Sequence, residues 1–113
     1  GLRDQAKAPA STRHDLLVDI HRRENGGRAL GRLAEALGTL ASSGLRVSLV
    51  THPNRHWARR WDHALGTRVA LRRLPPMERD DWLAEARVAR CVLSDSGGAA
   101  EELPYLGVPL LVY

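Results

Sequence analysis

The 113-residue chain contains one cysteine, one lysine, one methionine and no phenylalanine. A lone Cys91 excludes an internal disulfide framework and fits a reducing compartment, so a cytoplasmic setting is expected. Its place at the head of an apolar run, Cys91-Val92-Leu93, reads as that of a buried hydrophobe. No apolar stretch is long enough to cross a membrane, and no signal-peptide pattern opens the chain. With three Trp and two Tyr as the whole aromatic complement, the core has to be built from Leu, Val and Ala. No pair of His or Cys has zinc-ligand spacing. The P-loop and G-x-G-x-x-G patterns are missing, and no Ser/His/Asp order is apparent. Neither a metal nor a cofactor is therefore expected.

Positive charge is plentiful. The net charge is +4, and Lys7 is the single lysine, so nearly all the basic residues are arginine. The arginines are scattered, and no basic patch interleaved with aromatics stands out, so a nucleic-acid partner is not expected. Residues 1–13 are polar and without period, which predicts a flexible arm or linker ahead of one domain over residues 14–113.

Within that domain short apolar runs alternate with amphipathic stretches. Strands are predicted over Asp15–Ile20, Leu45–Val50, Arg68–Leu74, Cys91–Ser94 and Val108–Tyr113. Between them lie four helices. The first, after Arg28, carries Leu30, Leu33, Ala34, Leu37 and Leu40 as an apolar stripe. The second, Arg55–Leu65, puts Trp57, Trp61 and Leu65 on one face. The third packs through Trp82, Leu83 and Ala86. The fourth is the short segment Gly98–Leu103. Five strands alternating with helices predict an α/β fold with a Rossmann-like doubly wound parallel sheet.

In such sheets ligands bind beyond the carboxyl ends of the strands. The segments expected there are His21-Arg22-Arg23-Glu24-Asn25, Thr51-His52-Pro53-Asn54 and Asp95-Ser96-Gly97-Gly98. Polar, glycine-rich and histidine-bearing residues thus collect on one sheet edge. Ser96 suits an N-cap, Gly97 and Gly98 leave backbone N–H groups open to an anion, and Glu102 offers a carboxylate to hydroxyl groups. Taken alone, the Ser-Gly-Gly run reads as a tight βα turn with a serine cap rather than as a ligand site. His21 leaves the first strand where a histidine can move a proton or bond a phosphate. His52 reads by itself as a turn histidine. His14, His56 and His63 look like surface residues, and Asp15 and Asp19 are given no chemical role.

Taken together, "HRREN" after the first strand, "HPN" after the second and "DSGG..EE.P.LG.P.LV" at the end resemble the carboxyl-terminal half of bacterial non-hydrolysing UDP-N-acetylglucosamine 2-epimerases. The resemblance spans Leu16 to Tyr113. It implies one half of a GT-B architecture, in which two Rossmann-like domains face a cleft. The implied reaction interconverts UDP-GlcNAc and UDP-ManNAc by eliminating UDP and adding it back. Carried over residue by residue, Ser96, Gly97 and Gly98 would bind the diphosphate and Glu102 the ribose. His21 would be the catalytic histidine near the leaving phosphate. Arg22 and His52 match positions that help hold a second, activating UDP-GlcNAc.

The sequence departs from the family where Gly26-Gly27 replace an aromatic, where "THPN" is shortened, and where Ala100 replaces Gln. The chain is expected to be a piece of a longer protein whose amino-terminal domain brings the carboxylates for the C2 proton, and to be inactive alone. Homodimerisation of that parent stays open. Two other readings also stay open: the nucleotide-sugar domain of a GT-B glycosyltransferase, and a non-catalytic UDP-binding or interaction fragment.

Overall fold

The computed structural model describes residues 12–20, 28–66 and 71–113. Among them the chain runs β1 (Leu16–Asp19), α1 (Arg28–Ser42), β2 (Val47–Val50), α2 (Arg55–Leu65), β3 (Arg72–Leu74), α3 (Arg79–Arg87), β4 (Val92–Ser94), α4 (Gly97–Glu102), a 3-10 turn (Leu103–Leu106) and β5 (Leu110–Val112). Every strand pairing is parallel, and the order is β3-β2-β1-β4-β5. The chain builds outward from β1 through β2 to β3, then returns to the other side of β1 for β4 and β5. This is the doubly wound order, with its reversal between β1 and β4.

Alternation along the strands divides the interior in two. Val18, Val47 and Leu49 pack against α1 and α2, in a core closed by Leu30, Leu37, Trp61 and Leu65. Leu17, Val50 and Val92 point the other way and meet Ala86 of α3, Ala99 of α4 and Leu103. Trp61 anchors the first core: it is 1% exposed, and its indole N–H donates to the Ile20 carbonyl at 3.3 Å.

Several expectations need correction. In α1 the buried stripe runs through Leu30, Leu33, Ala34, Leu37, Gly38 and Ala41, whereas Leu40 is exposed. Position 41, four residues after Leu37, keeps closer to the line of the stripe than position 40. Cys91 is half-buried rather than a core residue. The last strand is an exposed edge: Leu111 and Val112 face outward, and only Leu110 joins the packing beneath.

The largest surprise is His14, expected on the surface but 1% exposed. It sits at the amino end of the sheet, where Ser48 of β2, Arg72 of β3 and Glu85 of α3 converge on its ring. The Arg72 guanidinium lies 3.0 Å from Nδ1. Because a guanidinium can only donate, Nδ1 accepts, and Nε2–H is left to donate to Glu85 Oε1 at 2.7 Å. Ser48 Oγ completes the knot, 2.8 Å from Nδ1 and 3.2 Å from Arg72 Nε. One polar group thus ties two strands and a helix to the segment that leads into β1.

Truncating His14 removes a buried ring and its bonds to Ser48, Arg72 and Glu85, so His14→Ala is expected to cost about 2 kcal/mol, read as a lower urea midpoint at unchanged slope. Nearby, Asp15 accepts from the Arg46 guanidinium at 3.2 Å and from the Arg46 backbone N–H at 2.8 Å, and these bonds, the guanidinium's foremost, hold its pKa below the ordinary carboxylate value. A depressed folded-state pKa gives stability that is present above the unfolded value and lost as pH falls through the folded one. The stability gap between wild type and Asp15→Asn is therefore expected near neutral pH and should close in acid.

Candidate functional site

The parallel register decides which residues share the carboxyl edge. Asp19 of β1 pairs with Ser94 of β4, and Val18 with Leu49 of β2. The exits of the two strands flanking the reversal therefore lie at one level, beside the exit of β2.

After β4 the chain turns tightly into α4. The Ser96 N–H donates to Ser94 Oγ at 3.0 Å. Ser96 is extended (φ −88°, ψ 129°), and its Oγ caps the helix by accepting from the Ala99 N–H at 3.4 Å. Gly97 and Gly98 follow, and both are exposed. Neither has a positive φ, so the turn does not require glycine. Packing does not require it either: a β-carbon would meet nothing at Gly97, and at Gly98 only Ser96 Oγ at an ordinary 3.6 Å. Two residues that weaken a helix start therefore leave open space above N–H groups that lack intrahelical partners.

Ser96, Gly98 and Glu102 line one cleft of about 250 Å³ together with Asp19, Arg79 and Trp82. Gly97 is exposed but does not line it. A smaller cleft of about 210 Å³ holds Thr51 and His52 and shares Asp19, Met77 and Trp82 with the first. His52 Nδ1 accepts from the Asn54 N–H at 3.0 Å, and Asn54 in turn caps α2 through the His56 N–H. The ring braces the turn while bordering the cleft. His21 and Arg22 lie outside the described residues. The structure thus brings Ser96, Gly98 and Glu102 together and sets His52 next door.

Three cleft residues with polar side-chain groups, Asp19, Arg79 and Trp82, are not among the site residues expected from the sequence. Asp19 ends β1, and the sheet-edge rule alone would have found it. Arg79 bonds Glu102, and this contact raises the Arg79 pKa above its ordinary value; nothing in the spacing of residues 79 and 102 announces the pair. Trp82 was read as a packing residue, and it does pack against the second core. Its Nε1, however, is buried without a hydrogen-bond partner among the described residues, an arrangement with a cost unless something accepts from it. No group of acidic, His and Cys side chains among the described residues is arranged to hold a metal, and no helix among them is long and apolar enough to cross a membrane.

Sheet order, capped glycine turn and cleft define a Rossmann-like α/β fold with an open cleft at its switch point. The chain belongs to the UDP-N-acetylglucosamine 2-epimerase family, whose model matches residues 2–113. It is 32% identical over 99 residues to the UDP-N-acetylglucosamine 2-epimerase of Escherichia coli K12, covering 86% of this chain and 26% of that protein. Among solved structures it resembles the Neisseria meningitidis UDP-GlcNAc 2-epimerase bound to UDP-GlcNAc, at TM-score 0.76 and 28% identity over 86% of this chain and 27% of that one. It also resembles Staphylococcus aureus MnaA solved with UDP, at TM-score 0.75 and 26% identity over 96% of this chain and 31% of that one. The chain spans about a quarter of the length of the curated relatives it matches.

The cap can be tested without ligand. Ser96→Ala is expected to lower stability by about 1 kcal/mol and Ser96→Asp to restore most of it, measured by chemical unfolding. Equal stability of all three proteins would show that Ser96 does not cap α4.

Proposed function

We propose that this domain holds the UDP moiety of a UDP-sugar, as the UDP side of a UDP-N-acetylglucosamine 2-epimerase. The observation that carries the reading is the pair Gly97 and Gly98, required by neither backbone conformation nor packing, beside a capped helix start and a carboxylate. The diphosphate lies over the Ser96–Gly98 turn, where N–H groups and the helix dipole favour negative charge. Glu102 accepts from the ribose hydroxyls. To do so it releases Arg79, whose guanidinium then becomes available to a phosphate oxygen.

In the whole enzyme this domain is one half of a GT-B pair. Breaking the C1–O bond with loss of the C2 proton yields UDP and 2-acetamidoglucal. Re-addition of UDP, with the proton returned to the opposite face of C2, gives the epimer. His21 is assigned the place beside the leaving phosphate, and Arg22 and His52 the second UDP-GlcNAc. The carboxylates that handle the C2 proton come from a partner domain, so the chain by itself turns over no UDP-GlcNAc.

UDP and UDP-GlcNAc are expected to raise the melting temperature of the chain, and Ser96→Ala and Glu102→Ala to weaken that shift. Gly98→Ala separates fold from function most cleanly. It should leave the unliganded protein as stable as wild type or slightly more so, yet lower UDP affinity about tenfold or more by crowding the phosphate. A well-folded sample with no UDP-dependent shift would refute the nucleotide reading. For a longer protein carrying this chain, incubation with UDP-GlcNAc in deuterated water should place deuterium at C2. A sugar untouched until an acceptor is supplied would instead identify a glycosyltransferase.

A further inference from the structure

On the opposite face of the sheet a cleft of about 690 Å³ is lined by residues of α1 and α2 and shares no lining residue with the Ser96 cleft. Its walls are cationic: Arg28 comes from α1, and His56, Arg59, Arg60 and His63 come from α2. Among the described residues no carboxylate lines it. Among the described residues neither Arg28 nor Arg59 has an acidic partner, in contrast to Arg46, Arg73 and Arg79, which are all paired. Arg60 lies over the Trp57 ring, 5.4 Å from its centroid, which holds the charge in place at the wall.

Two further features oppose helix stability at the cleft. Helix α1 begins without an acid in its first turn and with Arg28, a lining residue, there instead, where the helix dipole disfavours a cation. Gly31 lies within α1, where glycine is a poor helix former. Its φ is not positive, and a β-carbon on it would meet nothing within 4 Å. What Gly31 leaves open is the cleft, whose floor it forms with Leu30 and Ala64.

We propose that this cleft binds a compact organic phosphate carrying at least two phosphate groups. Arginines on facing walls take the phosphates, and the uncharged body of the ligand rests on the Leu30–Gly31–Ala64 floor. The size of the cleft suits a small molecule. A nucleic-acid strand is disfavoured because Trp57, beneath the wall residue Arg60, is 9% exposed and covered by that guanidinium, which leaves no indole platform for stacking bases.

Calorimetric titration of the full chain with fructose 1,6-bisphosphate as the probe tests this. Binding is expected with one site per chain, weakened about tenfold or more by Arg28→Ala and by Arg59→Ala, and unchanged by Ser96→Ala. Gly31→Leu fills the floor without altering charge and should abolish binding, with a thermal melt confirming that the variant folds. The proposal is overturned if the probe gives no binding at millimolar concentration. It is overturned equally if binding survives Gly31→Leu, which means diffuse attraction to a basic surface, or if Ser96→Ala removes it, which moves the anion to the glycine turn.

Discussion

The parallel register of β1 with its two neighbours is the constraint on which the remaining structure depends. Because Leu17 lies against Ser48 on one side and Val92 on the other, the exits of three strands reach the same edge together. The side chains beneath alternate between two cores. Had β1 slipped by one residue, Leu17 and Val18 would exchange faces and Asp19 would leave the level of Ser94. The site is therefore a consequence of apolar patterning several residues away from it.

At the two ends of this sheet polar groups are used differently. At the amino end every partner is satisfied: His14, Ser48, Arg72 and Glu85 form a closed set around one buried ring. At the carboxyl end satisfaction is incomplete. Gly98, in the first turn of α4, lines a cleft, and Trp82 Nε1 is buried without a partner among the described residues. A fold selected for stability alone would resemble the first end throughout. The second end resembles a surface completed by a ligand, as the proposed UDP site requires.

How much of this was legible in the sequence depended on the range of the signal. The strand–helix alternation, the Trp57–Trp61–Leu65 face and the Ser96 cap are local, and each was readable from neighbouring residues. The burial of His14 was not, because it depends on Ser48, Arg72 and Glu85, which are separated by up to 71 positions. The Arg79–Glu102 pair and the unpartnered Trp82 indole escaped for the same reason. Leu40 misled because a helical stripe drifts, so a leucine near its margin can end outside. The glycine turn stood between these cases. Its composition was plain, but only the folded backbone shows that neither φ nor packing requires glycine there. That finding favours an open ligand edge over a simple tight turn.

The most direct test of the central claim is an NMR titration of the nitrogen-15-labelled chain with UDP, following backbone amides and the three tryptophan indole N–H groups together. The account predicts that the largest shifts fall on the Gly97, Gly98 and Ala99 amides and on the Trp82 indole. The Trp61 indole, bonded to the Ile20 carbonyl, should stay where it is. Shifts spread evenly over the surface, or confined to residues remote from the Ser96 turn, would contradict the assignment of this edge to the nucleotide.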